Sequence, residues 1–310
     1  MLKASFHGAT DVGKIREINE DAYIAQYIWD RRHVLLAAID GLGGYEGGEV
    51  AAGIAQRTIT SYMENSHGDC LDLLKEAIAE ANNEIVRQKI SNPSVSQMGC
   101  VATVCVLELD ASRLIIAHVG DTRLYQFYKN QLQKLTHDHS PVGEMEDNRM
   151  LSEQDAMNHP RRNIVERFLG EEEKGASSPN FIEAGIFPLS AGMQFLLCSD
   201  GLSDLLTSQD ISSVLSRYLK INNKVSTLIK LANNKGGNDN ITAVIASISG
   251  YATPQNNNIK HLKESKHKNV SSVPIDNVRK FHGLTIIWAL ISILSFVFGL
   301  IVGVLYSNFK

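Results

Sequence analysis

Three apolar runs in this 310-residue chain end in an aspartate beside a glycine: LLAAIDGLGG with Asp40 and Gly41, IIAHVGDTR with Gly120 and Asp121, and FLLCSDGL with Asp200 and Gly201. Asp239, in GGNDNITAVI, stands just ahead of an apolar run instead. A lone Asp-Gly is a turn, because both residue types accept the backbone conformations that reverse a chain. Four such sites are another matter, since carboxylates buried together at strand ends raise each other's pKa unless a cation neutralises them. Oxygen ligands without a His/Cys cluster favour hard ions, Mg²⁺ or Mn²⁺, over zinc. Nearer the N-terminus, DVGKIREINEDAY supplies Arg16, whose guanidinium can fork onto two phosphate oxygens. The adjacent Glu20 and Asp21 can bind a metal or order its waters, although the same segment also reads as a solvated charged loop.

The segment GLGGYEGGE, residues 41–49, occupies the place of a nucleotide-binding loop but fits none. Walker A closes on GK[ST], whereas Glu49 follows Gly48 here, and no GxGxxG register exists. Asp40, Glu46 and Glu49 would repel phosphate without a metal.

The elements that must position these groups are short. Apolar runs at 34–39, 100–109, 113–119, 122–128, 195–198 and 241–248 read as strands, and 49–63, 70–89, 208–219 and 224–233 as helices. The runs 100–109, 113–119 and 122–128 follow too closely for crossover helices, so they are expected to pair antiparallel, which argues against a parallel doubly wound sheet. A hydrophobic content of 44% is ample for a core, and a net charge of −4 points to no nucleic acid partner. Cys70, Cys100, Cys105 and Cys198 show no ligand spacing and suit a reduced compartment. The N-terminus lacks the basic and apolar regions of a secretory signal.

Residues 283–307 are uncharged, and at ~1.5 Å per residue they are long enough to cross a hydrocarbon core of ~30 Å, so a transmembrane helix is expected. Trp288 and Tyr306 suit its two interfaces. Lys260, Lys263, Lys266, Lys268, Arg279 and Lys280 precede it, which places residues 1–250 on the cytoplasmic face. Residues 251–282 read as a polar, basic linker, either solvated or touching anionic headgroups.

The segments DVGKIREINED, AIDGLGGYEGGEVAA, AHVGDTRLY, LTHDHSPV, LLCSDGLSDLL and GGNDNITAVI together resemble, in order, the motif series of the PP2C-type (PPM) metal-dependent protein phosphatases, the bacterial branch above all. The resemblance covers residues 4–249. It implies an α+β fold, a four-layer α-β-β-α sandwich of two antiparallel sheets. It also implies two Mg²⁺ or Mn²⁺ ions, with Asp40 bridging both, Asp200 and Asp239 on one, and the Gly41 carbonyl on the other. Glu20 and Asp21 would bind metal waters, Arg16 would dock the substrate phosphate, and Asp121 would join Asp200 at a third, weaker metal site. A hydroxide bridging the ions would then hydrolyse phosphoserine or phosphothreonine in proteins, at a membrane face and opposite a serine/threonine kinase. The DxDx[TV] and Cx5R signatures of covalent phosphatases are absent from the sequence, in line with direct hydrolysis.

One departure concerns the proton donor. Eukaryotic members carry His after the first Asp-Gly, regarded as the general acid, and this chain has Leu42. A metal-bound water is the expected substitute. Residues 144–170 resemble the flap of bacterial members, where Arg161 and Arg162 could read phosphopeptide flanks, while His137 and His139 would pack and hydrogen-bond near its hinge. The alternative is a phosphatase-like module that binds phosphoproteins without turnover, but such a module should have lost carboxylates, and all are present. A phosphodiesterase or nuclease lacks a basic groove.

Overall fold

The computed structural model describes residues 1–43 and 47–250. The linker expected over 251–282, the membrane helix over 283–307 and residues 44–46 lie outside the described residues. Among the described residues no helix is long and apolar enough to cross a membrane.

The elements run β1 (Leu2–Asp11), β2 (Ala22–Ile28), β3 (His33–Leu42), α1 (Gly48–Asn65), α2 (Cys70–Ser91), β4 (Gly99–Glu108), β5 (Arg113–Val119), β6 (Arg123–Tyr128), β7 (Gln131–Lys134), α3 (Pro141–Asp147), α4 (Glu153–Met157), β8 (Glu183–Pro188), β9 (Gln194–Cys198), α5 (Asp200–Ser203), α6 (Ser208–Leu215), α7 (Ile221–Asn234) and β10 (Ile241–Gly250). One sheet has the order β1-β10-β9-β6-β7 and the other β2-β3-β4-β5-β8. Every pairing between these strands is antiparallel.

Strand alternation builds the layers. On β3, Leu35, Ala37 and Ile39 join α1 and α2 in one core through Ala55, Ile59, Leu74 and Ile78. Their neighbours Val34, Leu36 and Ala38 face the other way and pack between the sheets with Phe195, Leu197 and Val244. The next alternation, Leu196, Cys198 and Ile245, meets Ile211 and Val214 of α6 and Leu228 of α7. The order is thus helices, sheet, sheet, helices. Helix α2 shows the local logic: the Asp69 side chain caps its first turn, and the buried face repeats at Leu74, Ala77, Ile78, Ala81 and Ile85.

Two expectations from the sequence are corrected. The strand at 122–128 does not pair with 113–119: β5 lies between β4 and β8, whereas β6 lies between β7 and β9 in the opposite sheet. Gly120 is the reason. Its φ of 107° lies in the region glycine tolerates, and a Cβ there would stand 2.2 Å from the Val101 Cβ, so only glycine lets the chain leave one sheet for the other. The helix expected over 208–219 stops at Leu215, and α7 starts at Ile221 rather than 224. The buried Lys224 ammonium donates to the Leu215 carbonyl and so satisfies a carbonyl at the end of the shorter helix. Strands β1, β2, β7 and β8 were not expected from the sequence.

Candidate active site

The two sheets bring the predicted carboxylates to one edge of the sandwich. Asp40 lies near the end of β3, and Glu20 and Asp21 immediately precede its neighbour β2. Asp121 follows Gly120 at the crossing between the sheets. Asp200 opens α5 after β9, and Asp239 precedes β10, which pairs with β9.

Hydrogen bonds fix these pieces to one another. Ser199 Oγ donates to Asp21 Oδ2 at 2.7 Å and accepts the Thr242 N–H at 2.9 Å, joining the head of β2 to the opposite sheet. Arg16 Nη2 reaches Asp239 Oδ2 at 2.8 Å, with Nη1 at 3.9 Å from Glu20 Oε2. The Asn240 side chain accepts the Glu20 N–H at 2.8 Å and donates to the Val12 and Ile18 carbonyls, each at 3.0 Å. Gly41 is required by close approach: a Cβ there would lie 2.3 Å from the Gly48 carbonyl oxygen and 2.6 Å from that of Glu20. Leu42 ends β3 opposite Gly99, so the position after Asp40-Gly41 offers no proton donor.

The electrostatics are those of crowded, buried acids. Burial, then Asp21, Asp200, Asp121 and Asp239, hold Asp40 well above the ordinary carboxylate range. Burial, then Asp204, Asp121, Asp239 and Asp21, do the same to Asp200. Burial pushes Asp21 and Asp121 up to about 7, with Asp239 adding to the first and Asp138 to the second. Among the described residues, Asp21, Asp40, Asp121 and Asp200 form no ion pair with lysine or arginine. A cluster of anionic oxygens with so little cationic support from its own chain suits hard divalent ions, so the donor set fits the metals expected.

A cleft of about 330 Å³ opens on this edge, lined by Arg16, Met157, Asn158, Arg162, Asp200 and Asp239. Arg162, rather than Arg161, turns toward it, with Nε 2.8 Å from Asp204 Oδ2. Asp121, Asp200 and Asp204 share the wall of an adjoining small cavity. Asp204 was not singled out in the sequence, although its place four residues after Asp200 was a signal that the two share a helix face. Ser199 and Asn240 were also missed, since Ser and Asn beside turns are common without function. Arg123 Nη2 binds Asp138 Oδ2 at 2.6 Å and Glu146 Oε2 at 2.7 Å, which fastens α3 to β6. A larger groove of about 710 Å³ between α1 and α2 holds none of the clustered aspartates.

His118, His139 and Glu183 also converge within 4.8 Å of one another, close enough to hold a metal ion by distance alone. Their hydrogen bonds oppose it. The Gly120 N–H donates to His139 Nδ1 at 3.0 Å, which leaves the ring proton on Nε2 facing Glu183. Both nitrogens of His118 are engaged, one by Thr103 Oγ1 at 2.8 Å and the other by the His137 carbonyl at 3.1 Å. Burial, then His139, pushes His118 down to about 4. Glu183 also takes His137 Nδ1 at 2.9 Å, so the cluster joins the loop before α3 to β8.

The family model for protein phosphatase 2C matches residues 15–234. The serine/threonine phosphatase Stp of Listeria welshimeri is 33% identical over 241 residues, which is 76% of this chain and 92% of that protein. The protein phosphatase PhpP of Streptococcus pneumoniae is 30% identical over 243 residues, covering 77% of this chain and 96% of the relative. The solved catalytic domain of the serine/threonine protein phosphatase PstP, in complex with 2 manganese ions, superposes with a TM-score of 0.69 at 28% identity and covers 81% of this chain and all of that domain. The chain belongs to the protein phosphatase 2C family.

Proposed function

We propose that this protein phosphatase 2C hydrolyses phosphoserine and phosphothreonine in proteins with the help of Mn²⁺ or Mg²⁺ held by Asp40, Asp200, Asp239 and the Gly41 carbonyl, with Glu20 and Asp21 beside them. The observation that carries the reading is the crowding of five buried or half-buried aspartates from both sheets, Asp21, Asp121, Asp200 and Asp239 around Asp40, beside a cleft that Asp200, Asp239 and Arg16 line. Two divalent ions bound there would acidify a water for direct attack on phosphorus and offset charge on the phosphoryl oxygens. Asp121 and Asp200, with Asp204 beside them, form the candidate third position.

The chain's own residues set the geometry. Arg16 presents a guanidinium that can take two oxygens of the substrate phosphate. Ser199 aims Asp21, and Asn240 holds the backbone that carries Glu20. Leu42 donates no proton, so the leaving alkoxide must take one from solvent at the site. Arg162 and Met157 border the cleft where residues flanking the phosphate would lie.

The reading extends to a tether: the uncharged run at 283–307 and the basic residues before it support a single membrane span with residues 1–250 on the cytoplasmic face, where kinase-modified proteins would be its substrates. The test is hydrolysis of p-nitrophenyl phosphate and phosphothreonine peptides by the full chain in detergent, with Mn²⁺ and with EDTA. Turnover with Mn²⁺ and none with EDTA is expected, whereas peptide binding without turnover would favour the binding-module alternative. A C-terminal reporter should label the far side of the membrane, and recovery of the full chain in the soluble fraction would refute the tether.

A further inference from the structure

We infer that Asn240 is the positioning residue for the arm formed by residues 12–20, which carries Arg16 to the substrate; the inference rests on the phosphatase reading above. Asn240 is 3% exposed, and its amide makes three hydrogen bonds, all to this arm. Nδ2 donates to the Val12 and Ile18 carbonyls at 3.0 Å, and Oδ1 accepts the Glu20 N–H at 2.8 Å. One side chain therefore grips the arm on both sides of Arg16.

Away from Asn240, the arm is tied at its end by the Asn19 amide to the Thr10 hydroxyl at 3.0 Å and by the Gly41 N–H to the Glu20 carbonyl at 3.2 Å. Ile15 and Ile18 are 68% and 53% exposed, so apolar burial contributes little there. Besides Asn240, its ties to the strand β10 side are the Lys14 N–H to the Gly237 carbonyl at 2.8 Å and the Arg16–Asp239 pair itself. Few buried contacts and a small set of hydrogen bonds describe a segment that opens readily when one of them is lost.

The chemistry of the position is specific to asparagine. Two carbonyls require two donors, and the Glu20 N–H requires an acceptor, which one carboxamide supplies. Aspartate keeps the acceptor but loses both donors. Alanine leaves two carbonyls and an N–H without partners. Because Asn240 directly follows Asp239, the arm is registered to the same backbone that supplies one of the candidate metal ligands. A displacement of the arm by about 1 Å would misplace the guanidinium enough to cost on the order of 100-fold in rate.

The test is a double-substitution cycle in the full-length protein, with Asn240→Ala and Arg16→Ala made singly and together. It is read as kcat and KM for a phosphothreonine peptide with Mn²⁺. A positioning role predicts that Asn240→Ala lowers kcat/KM by about 10- to 100-fold, and by less than about threefold when Arg16 is already alanine. Losses that multiply would overturn it. Hydrogen exchange gives a reading independent of activity: faster exchange confined to residues 12–20 supports the role, and faster exchange throughout the domain makes Asn240 a general stability residue. Should Asn240→Ala fail to fold, Asn240→Asp is close in shape, keeps the Glu20 bond, and enters the cycle under the same criteria. A wild type without turnover overturns the phosphatase reading and this role together, whereas an active wild type with multiplicative losses overturns this role alone.

Discussion

Arg16 and Asp239, 223 residues apart in sequence, meet through an ion pair of 2.8 Å between Nη2 and Oδ2. The pair closes the N-terminal arm against the head of β10 and sets the candidate phosphate-binding group beside a candidate metal ligand. Its side chains are 45% and 30% exposed, so water screens the attraction and the pair adds little to stability. Its value is positional.

Replacing Arg16 by alanine is therefore expected to separate function from folding. With loss of a charge-assisted contact worth about 1.5–3 kcal/mol, kcat/KM for a phosphopeptide falls roughly 10- to 100-fold. Thermal denaturation of the variant moves by less than about 2 °C, in keeping with an exposed pair. Arg16→Lys recovers only part of the rate, since an ammonium cannot fork onto two oxygens.

The acidic cluster predicts how stability depends on pH without divalent ions. Asp21 and Asp121 titrate near 7 in the folded chain, above their unfolded value of 3.8. A group raised in this way contributes stability that is full below its unfolded pKa and is lost as pH rises through the folded one. His118, pushed down to about 4 from 6.5, acts in the opposite sense only below about pH 6.5. In EDTA the thermal midpoint should therefore fall between pH 6.5 and pH 8. Saturating Mn²⁺ should raise the midpoint most at pH 8, because ions bind the ionised carboxylates. Midpoints in EDTA that are level or rise over this interval would contradict the crowding.

Asp40→Asn should stabilise the chain in EDTA. It keeps the shape of the side chain and removes a carboxyl that, crowded by four other aspartates, must either carry an opposed charge or take up a proton on folding. Each kcal/mol relieved raises the midpoint by about 2–4 °C for a domain of this size. A lower midpoint for the variant in EDTA would show that Asp40 is not under repulsion.

Gly41→Ala should unsettle the site through the backbone. Its Cβ would meet two carbonyl oxygens, of Gly48 at 2.3 Å and of Glu20 at 2.6 Å, and neither belongs to a movable side chain. A loss of about 1–3 kcal/mol in stability is expected, together with weaker Mn²⁺ dependence of activity. Unchanged denaturation would mean that the backbone there relaxes freely.

The candidate site was more legible in the sequence than the sheets that carry it. Asp40, Asp121 and Asp200 stood out because an apolar run breaks at a carboxylate beside glycine, a local pattern that survives without any partner in view. Strand pairing is not local. The runs at 113–119 and 122–128 look like one hairpin, yet the chain passes through Gly120 at positive φ and the second run pairs in the other sheet. Strand β8 alternates half-buried with exposed residues, too weak a signal to mark a strand. Asn240 reads as an ordinary turn residue, and its grip on Val12 and Ile18 depends on contacts 228 and 222 residues away.

The most direct measurement is phosphate release from a phosphothreonine peptide at saturating Mn²⁺ by the full chain and by its Asp40→Asn and Asp239→Ala variants, each checked for folding. If these carboxylates hold the ions that drive hydrolysis, both variants fall by about 10³-fold or more, on the scale of losing a principal electrostatic group in a catalytic centre. Turnover in either variant within a few fold of the wild type, or wild-type turnover that persists in EDTA, would contradict the account.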